Sequence, residues 1–410
     1  MFLVKNGECY GARACSGCVS CGSSIDILIN GDTIVEIGSD ISETDDMTVI
    51  DASGLVVAPG LVDIHVHFRE PGFEYKENIQ TGADAAAAGG VTTCCCMANT
   101  SPVIDSKEYT EYITKKAKQV PITVLPIGAV TFGLQGNELT DFNTLRNAGA
   151  VALSDDGIPI INDDIMRKAL QLAALHNLTI ISHCEEEASM VVRDIKLAAV
   201  TNTKVHIAHV STAAAVEAIR LAKANGIKVT AETCPHYFSL TSEKVAEKGT
   251  LAKMSPPLRS ENDVKAIIEG LCDGTIDAIA TDHAPHSDEE KSLLFCQAPN
   301  GIIGLETLLA VSLTYLYHTG KMPLNKVIEL MSSRPAEVLN LNAGRLKTGG
   351  SADIVIFDPD EEWTIDSSMF KSKARNTPYG GMKLQGKVKY TISKGKVVYY
   401  NGELCLPEYK

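Results

Sequence analysis

From residue 60 the chain repeats one pattern eight times: a short apolar run, then a stretch with helical spacing. The apolar runs lie at 61–67, 91–97, 122–127, 150–154, 178–183, 204–209, 228–233 and 275–281. Short apolar runs bounded by turn residues read as buried strands. Helical spacing covers 76–88, 163–176, 213–225 and 263–272. The first ends at Gly89-Gly90 and the third at Gly226, where glycine suits a helix C-cap. Neighbouring parallel strands need a crossover, usually a helix. The eight units therefore predict an α/β fold, a (β/α)8 TIM barrel. Reactive groups are expected at the C-terminal ends of its strands.

The flanks have a different texture. Residues 26–30 and 33–37 bracket Gly31-Asp32, a hairpin signal, and 353–357, 390–393 and 396–400 also read as strands. The economical reading is a barrel over 59–344 inserted in a small β-sandwich-like domain made from 1–58 and 345–410. The balance of 37 basic against 51 acidic residues, −14 net, argues against a phosphate-backbone partner. No apolar run is long enough for a membrane span or a signal h-region, so the expected location is the cytoplasm. Cys94, Cys95 and Cys96 follow one another in a strand, so they are expected to alternate faces as small buried residues in a reducing compartment.

His65-x-His67 closes the first apolar run. Side chains at i and i+2 share a strand face, so two imidazoles there can hold one metal. Alone, the pair is as readily a core or surface feature. Four later run ends repeat the chemistry: Asp155-Asp156-Gly157, His183-Cys184-Glu185, His209-Val210-Ser211-Thr212 and Asp282-His283-Ala284-Pro285-His286. Each has a bland alternative, a core histidine or a capping aspartate, but their coincidence on one barrel rim favours a metal site. Four histidines and two carboxylates suit two divalent ions, zinc first, with cobalt or manganese as replacements.

These blocks resemble the dihydroorotases of the amidohydrolase superfamily, of the bacterial monofunctional type. The likeness runs through Asp63-Ile-His65-Val-His67-Phe-Arg69-Glu-Pro71-Gly72, Met97-Ala-Asn99-Thr100, Pro256-Pro-Leu-Arg259, Thr281-Asp282-His283-Ala284-Pro285-His286 and Gly344-Arg345-Leu346. It implies that His65, His67 and Asp282 hold a first Zn2+, His183 and His209 a second, and that Asp156 bridges them where many relatives use a carboxylated lysine. It implies that Arg69 and Asn99 bind a substrate carboxylate with help from His286, and that Asn300 and Gly301 face the pyrimidine ring, with Ser255 in a further contact position. The implied reaction is reversible cyclisation of N-carbamoyl-L-aspartate to L-dihydroorotate in pyrimidine biosynthesis, with a metal-bridging hydroxide and Asp282 as proton carrier. A homodimer and association with aspartate transcarbamoylase are implied too. Hydantoinases and allantoinases act on rings without that carboxylate, so Arg69 sets the substrate reading. The alternatives are such a cyclic-amide hydrolase, or a non-catalytic scaffold for aspartate transcarbamoylase.

The chain departs from the family pattern at Ser255, where an asparagine is usual, and at Ala98, where a proline is usual. The His183–His209 connection is also about half the length found in many relatives. His236 is expected behind the ligands, His283 beside them, His176 and His318 in structural roles, and His206 on the helix side of its strand. Cys9, Cys15, Cys18 and Cys21 have metal-site spacing but lie outside these motifs, and a reduced loop cluster is the simpler reading.

Overall fold

The computed structural model describes residues 1–10, 22–45 and 47–405. Cys15, Cys18 and Cys21 fall outside them, while Cys9 is buried at a strand end.

All eight expected barrel strands form. They are Leu61–Val66, Val91–Cys96, Thr123–Gly128, Ala152–Leu153, Ile180–Ser182, Val205–Ile207, Val229–Thr233 and Ala278–Ile279, paired in chain order. The adjacent pairs are parallel. The ring closes between the eighth strand's end and the first. The His67 amide donates to the His283 carbonyl at 2.8 Å. The Asp63 carboxylate accepts from the Thr281 hydroxyl at 2.5 Å and from its amide at 3.2 Å. Burial lifts the Asp63 carboxyl to about 7, against the pull of those donors. Several strands are shorter than the apolar runs because the ladder stops where the chain turns to present the rim residues.

Helix starts differ from the periodicity for a local reason. The first barrel helix is Ile79–Ala88, not 76–88. The Asn78 side chain accepts from the Thr81 amide, and the Thr81 hydroxyl lies against the Asn78 amide; that capping box starts the helix. Lys76 and Glu77 are thereby left in the preceding loop. Asn162, Thr212 and Ser260 cap Asp163–Leu175, Ala213–Ala224 and Glu261–Asp273. The short His183–His209 connection still holds a complete barrel helix, Glu187–Thr201.

Both termini build one continuous mixed sheet of nine strands. Ile354–Thr364 from the C-terminal segment pairs antiparallel with Val56–Pro59 from the N-terminal one. The expected hairpin joins Ser23–Asn30 to Thr33–Gly38 through Gly31-Asp32, with Gly31 at φ 60°. The two-residue period separates the faces. Val57, Ile354 and Ile356 pack with Val4, Ile27 and Ile34, whereas Val56, Val355 and Phe357 join the core against the barrel. In the barrel, Cys95 points inward with Ile127 and Ala208, and Cys94 and Cys96 outward, as alternation requires.

Candidate metal centre and active site

Each rim residue is placed by the turn that carries it. After the fourth strand, the Asp155 carboxylate accepts from the Val130 and Thr131 amides at 2.7 and 3.0 Å. That ties the turn to the third strand's end. Gly157 at φ 85° reverses the chain, and Asp156 faces the barrel axis. After the sixth strand, the Glu187 carboxylate accepts from the Ser211 and Thr212 amides at 2.9 and 2.8 Å and fixes the segment after His209. Arg69, His209 and Asp282 have left-handed backbone, at φ 62°, 35° and 49°. Non-glycine residues adopt that region at a cost, and they do so mostly where function requires the side chain's direction.

Six side chains converge. Asp156 Oδ1 lies 3.3 Å from His65 Nε2, 3.3 Å from His183 Nδ1 and 3.6 Å from His209 Nε2, while its Oδ2 is 3.4 Å from His67 Nε2. Asp282 Oδ1 is 3.0 Å from His67 Nε2 and 3.5 Å from His65 Nε2. His183 Nδ1 and His209 Nε2 face each other at 2.8 Å. Two potential ligand groups share Asp156: His65 and His67 on one side, His183 and His209 on the other.

The residues fit divalent cations. All six are buried, and the donors are nitrogen and carboxylate oxygen without thiolate. His65 Nε2 is buried with no hydrogen-bond partner among the described residues, although it points into the cluster. Burial opposes ionisation of Asp156, yet the His65, His183 and His209 rings hold its carboxyl well below the usual range. Asp282 is lowered in the same way, chiefly by His65 and His67 against burial. Burial also opposes charge on His65, and Asp156, Asp282 and Glu232 outweigh it, raising its pKa. The cluster thus attracts a cation.

A cavity of about 210 Å³ opens over the cluster. Its walls include His67, Asp156, His183, His209 and Asp282, and every expected substrate-side residue: Arg69, Asn99, Ser255, His286, Asn300 and Gly301. His65 lies beneath it, and Glu185, not anticipated as a contact, joins the wall. Asn99 Oδ1 is 2.9 Å from His67 Nδ1, and its amide donates to the Asp156 carbonyl at 3.3 Å, so it braces both groups. Arg69 Nε donates to the Pro285 carbonyl at 3.2 Å.

Glu232 is the principal residue that reading the sequence missed. Its Oε1 lies 2.6 Å from His65 Nδ1 and its Oε2 3.2 Å from His206 Nε2. A carboxylate inside an otherwise buried strand was the available signal. His206 corrects an expectation: its ring points to Glu232 inside the barrel, not to the helices. Alternation is counted only within Val205–Ile207, and the left-handed turn at His209 swings the next imidazole inward as well. His283 accepts the Gly304 amide on Nδ1 at 3.2 Å and turns Nε2 to Glu77 at 3.5 Å. His318 donates to the Pro359 carbonyl at 2.8 Å, a structural bond. His236 is buried, and burial pushes it down to about 4.

A barrel whose rim gathers these potential metal ligands is the architecture of a hydrolase class, and residues 56–398 match the family model described as "Amidohydrolase family". The chain belongs to the amidohydrolase family. Within it, the chain is 47% identical to the dihydroorotase of Acetivibrio thermocellus, over 97% of this chain and 98% of that one. It is 45% identical to the dihydroorotase of Citrifermentans bemidjiense, over 92% and 95%. Among solved structures, the L-hydantoinase of Arthrobacter aurescens superposes with a TM-score of 0.89 at 25% identity, over 99% and 97% of the two chains. A D-hydantoinase from Thermus sp. gives 0.85, also at 25% identity.

Proposed function

We propose that the protein is a dihydroorotase, interconverting L-dihydroorotate and N-carbamoyl-L-aspartate. The observation that carries this reading is Arg69, whose guanidinium lines the cavity over the His/Asp cluster. A guanidinium fits a carboxylate, which dihydroorotate has and simple hydantoins lack. The close relatives named dihydroorotase support the same choice over the hydantoinases, which share the fold at lower identity.

His65, His67, Asp156, His183, His209 and Asp282 would hold two divalent ions, zinc being the proposed metal. Bound there, such ions supply Lewis acidity toward the scissile carbonyl and lower the pKa of a coordinated water toward neutrality. Arg69 and Asn99 orient the substrate carboxylate. His286 helps to hold that carboxylate, and Ser255, Asn300 and Gly301 position the ring. Asp282 takes the proton of the attacking water and returns it to the departing ring nitrogen as the amide C–N bond breaks. In the closing direction it takes a proton from the ureido nitrogen. Glu232 holds His65 so that Nε2 faces the centre.

The same proposal divides the chain into a barrel at 59–344 and a β domain from 1–58 and 345–410, supported by the two cores on either face of the terminal sheet. A homodimer rests on the family resemblance. The buried thiols of Cys94, Cys95 and Cys96 suit a reducing cytoplasm. Association with aspartate transcarbamoylase rests on the family resemblance.

The test is dihydroorotate hydrolysis measured together with metal content of protein purified without added metal. Turnover with bound zinc is expected. Turnover of hydantoin or allantoin but not dihydroorotate would move the protein to that activity. Less than about one zinc per chain with no turnover would favour the scaffold reading.

A further inference from the structure

Lys76 stands outside the assignments made so far. The Asn78 cap leaves it in the loop before the first barrel helix, and its side chain is only 13% exposed. Its ammonium is 2.8 Å from Glu290 Oε1 and 3.3 Å from His286 Nδ1. His286 Nε2 lies 2.8 Å from the Asn300 carbonyl oxygen. A carbonyl only accepts and an ammonium only donates. Nε2 must therefore carry the proton and Nδ1 the lone pair. The other tautomer would set a lone pair against the Asn300 oxygen. Arg69 Nη2, 3.4 Å from Nε2, then stands beside another donor, so its N–H groups are left for an anion in the cavity. The charged groups facing the ring are Arg69, Lys76 and Lys291, which disfavour an imidazolium, and Glu290, whose Oε2 is 3.5 Å from Nδ1. Burial and these cations push His286 down to about 3.

We infer that Lys76 is a positioning residue of the carboxylate-binding wall: it donates to His286 Nδ1 and so fixes His286 as the neutral Nε2–H tautomer beside Arg69. The tautomer follows from the contacts themselves, and only its kinetic consequence rests on the dihydroorotase reading. Without Lys76, Glu290 is the nearest group to Nδ1 and draws a proton there. The ring can then turn or charge, and the donor pair beside Arg69 loses its geometry.

The experiment is long-range 1H–15N spectroscopy of the metal-loaded protein labelled at histidine, with His286 assigned by loss of its signals in His286→Asn. Wild type should show an unprotonated Nδ1 and a protonated Nε2 near neutral pH. Lys76→Met should show Nδ1 protonated in part or fully. Lys76→Arg and Glu290→Gln, which keep a donor, should retain the wild-type tautomer. In dihydroorotate hydrolysis, Lys76→Met should raise KM about tenfold or more, the scale of one charge-assisted hydrogen bond, with kcat near the wild-type value. A wild-type ring protonated on Nδ1 would overturn the inference without any variant. An unchanged tautomer in Lys76→Met would overturn it whatever KM did, and so would an equal tautomer shift in Glu290→Gln. Absence of dihydroorotate turnover in wild type would sink the dihydroorotase reading while leaving the tautomer measurement decisive for Lys76.

Discussion

Replacing Glu232 by glutamine tests whether the centre is built from behind. Glu232 is fully buried, and its carboxylate joins His65 Nδ1 at 2.6 Å to His206 Nε2 at 3.2 Å. Burial raises its pKa, but the two rings outweigh that and hold it down to about 2, so it is ionised in any working buffer. An anion on Nδ1 fixes the proton there, leaves the Nε2 lone pair for a metal and makes that lone pair more basic. Glutamine keeps the volume and one acceptor, and His206 can exchange its proton between Nε2 and its other partner, the Thr230 hydroxyl at 2.9 Å from Nδ1. The hydrogen-bond count is then nearly kept, and what is lost is charge. Losses behind a metal ligand cost about 10- to 100-fold in affinity, or ~1.4–2.8 kcal/mol. Zinc affinity of the stripped protein, measured by competition with a chromogenic chelator, should fall by that factor at the site that includes His65. Apo-protein melting should change little. Glu232→Ala should in addition destabilise the apo-protein by about 1–3 kcal/mol for each imidazole left unpaired. Zinc binding by Glu232→Gln within about twofold of wild type, where at least about tenfold is expected, would refute the argument.

Three further outcomes follow from named contacts. Arg69→Ala should lower kcat/KM for dihydroorotate by about 10- to 100-fold, the scale of a hydrogen-bonded charge pair, and an unchanged value would remove its assigned role. Lys291, buried, donates to the carbonyls of Lys253, Pro299 and Gly301 at 3.3, 3.0 and 2.9 Å and so clamps the segment that carries Asn300. Lys291→Met leaves the Pro299 carbonyl without its donor, while the Lys253 carbonyl keeps the Gly301 amide at 3.0 Å and the Gly301 carbonyl keeps the Asn376 side-chain amide at 3.0 Å; it should cost about 1–3 kcal/mol in denaturant unfolding, with a raised KM. His236 is held at about 4 in the folded protein against an ordinary 6.5, mainly by burial. The unfolded chain therefore binds a proton first as pH falls. Its contribution is fully present above about 6.5 and is lost between there and about 4, by about 3 kcal/mol in all. His236→Gln should show a shallower loss of stability than wild type over that window. Parallel curves would assign the acid sensitivity to other groups.

Much of the site was legible in the sequence because its signals are local. Strand length, helix spacing and a histidine or aspartate closing an apolar run need only a few consecutive residues. That is why the eight strands and the ligand candidates could be named from sequence, whereas Arg69, Asn99 and His286 were named only through the family resemblance. The Lys76–Glu77 pair went astray because apolar spacing continues through it, while the Asn78–Thr81 box decides where the helix begins.

What the sequence by itself determined is the repeat that makes a barrel and the donors at its rim. Directions and partners were decided only by tertiary structure. His209 and Asp282 face the centre because single residues take left-handed backbone, a choice that strand alternation does not encode. His65 finds Glu232 across 167 residues of chain, and Arg69 comes within reach of His286 across 217. Lys76 meets His286 only when the eighth strand closes against the first. Periodicity is a property of neighbours along the chain, whereas a proton's position on an imidazole depends on whatever closure brings to its two nitrogens.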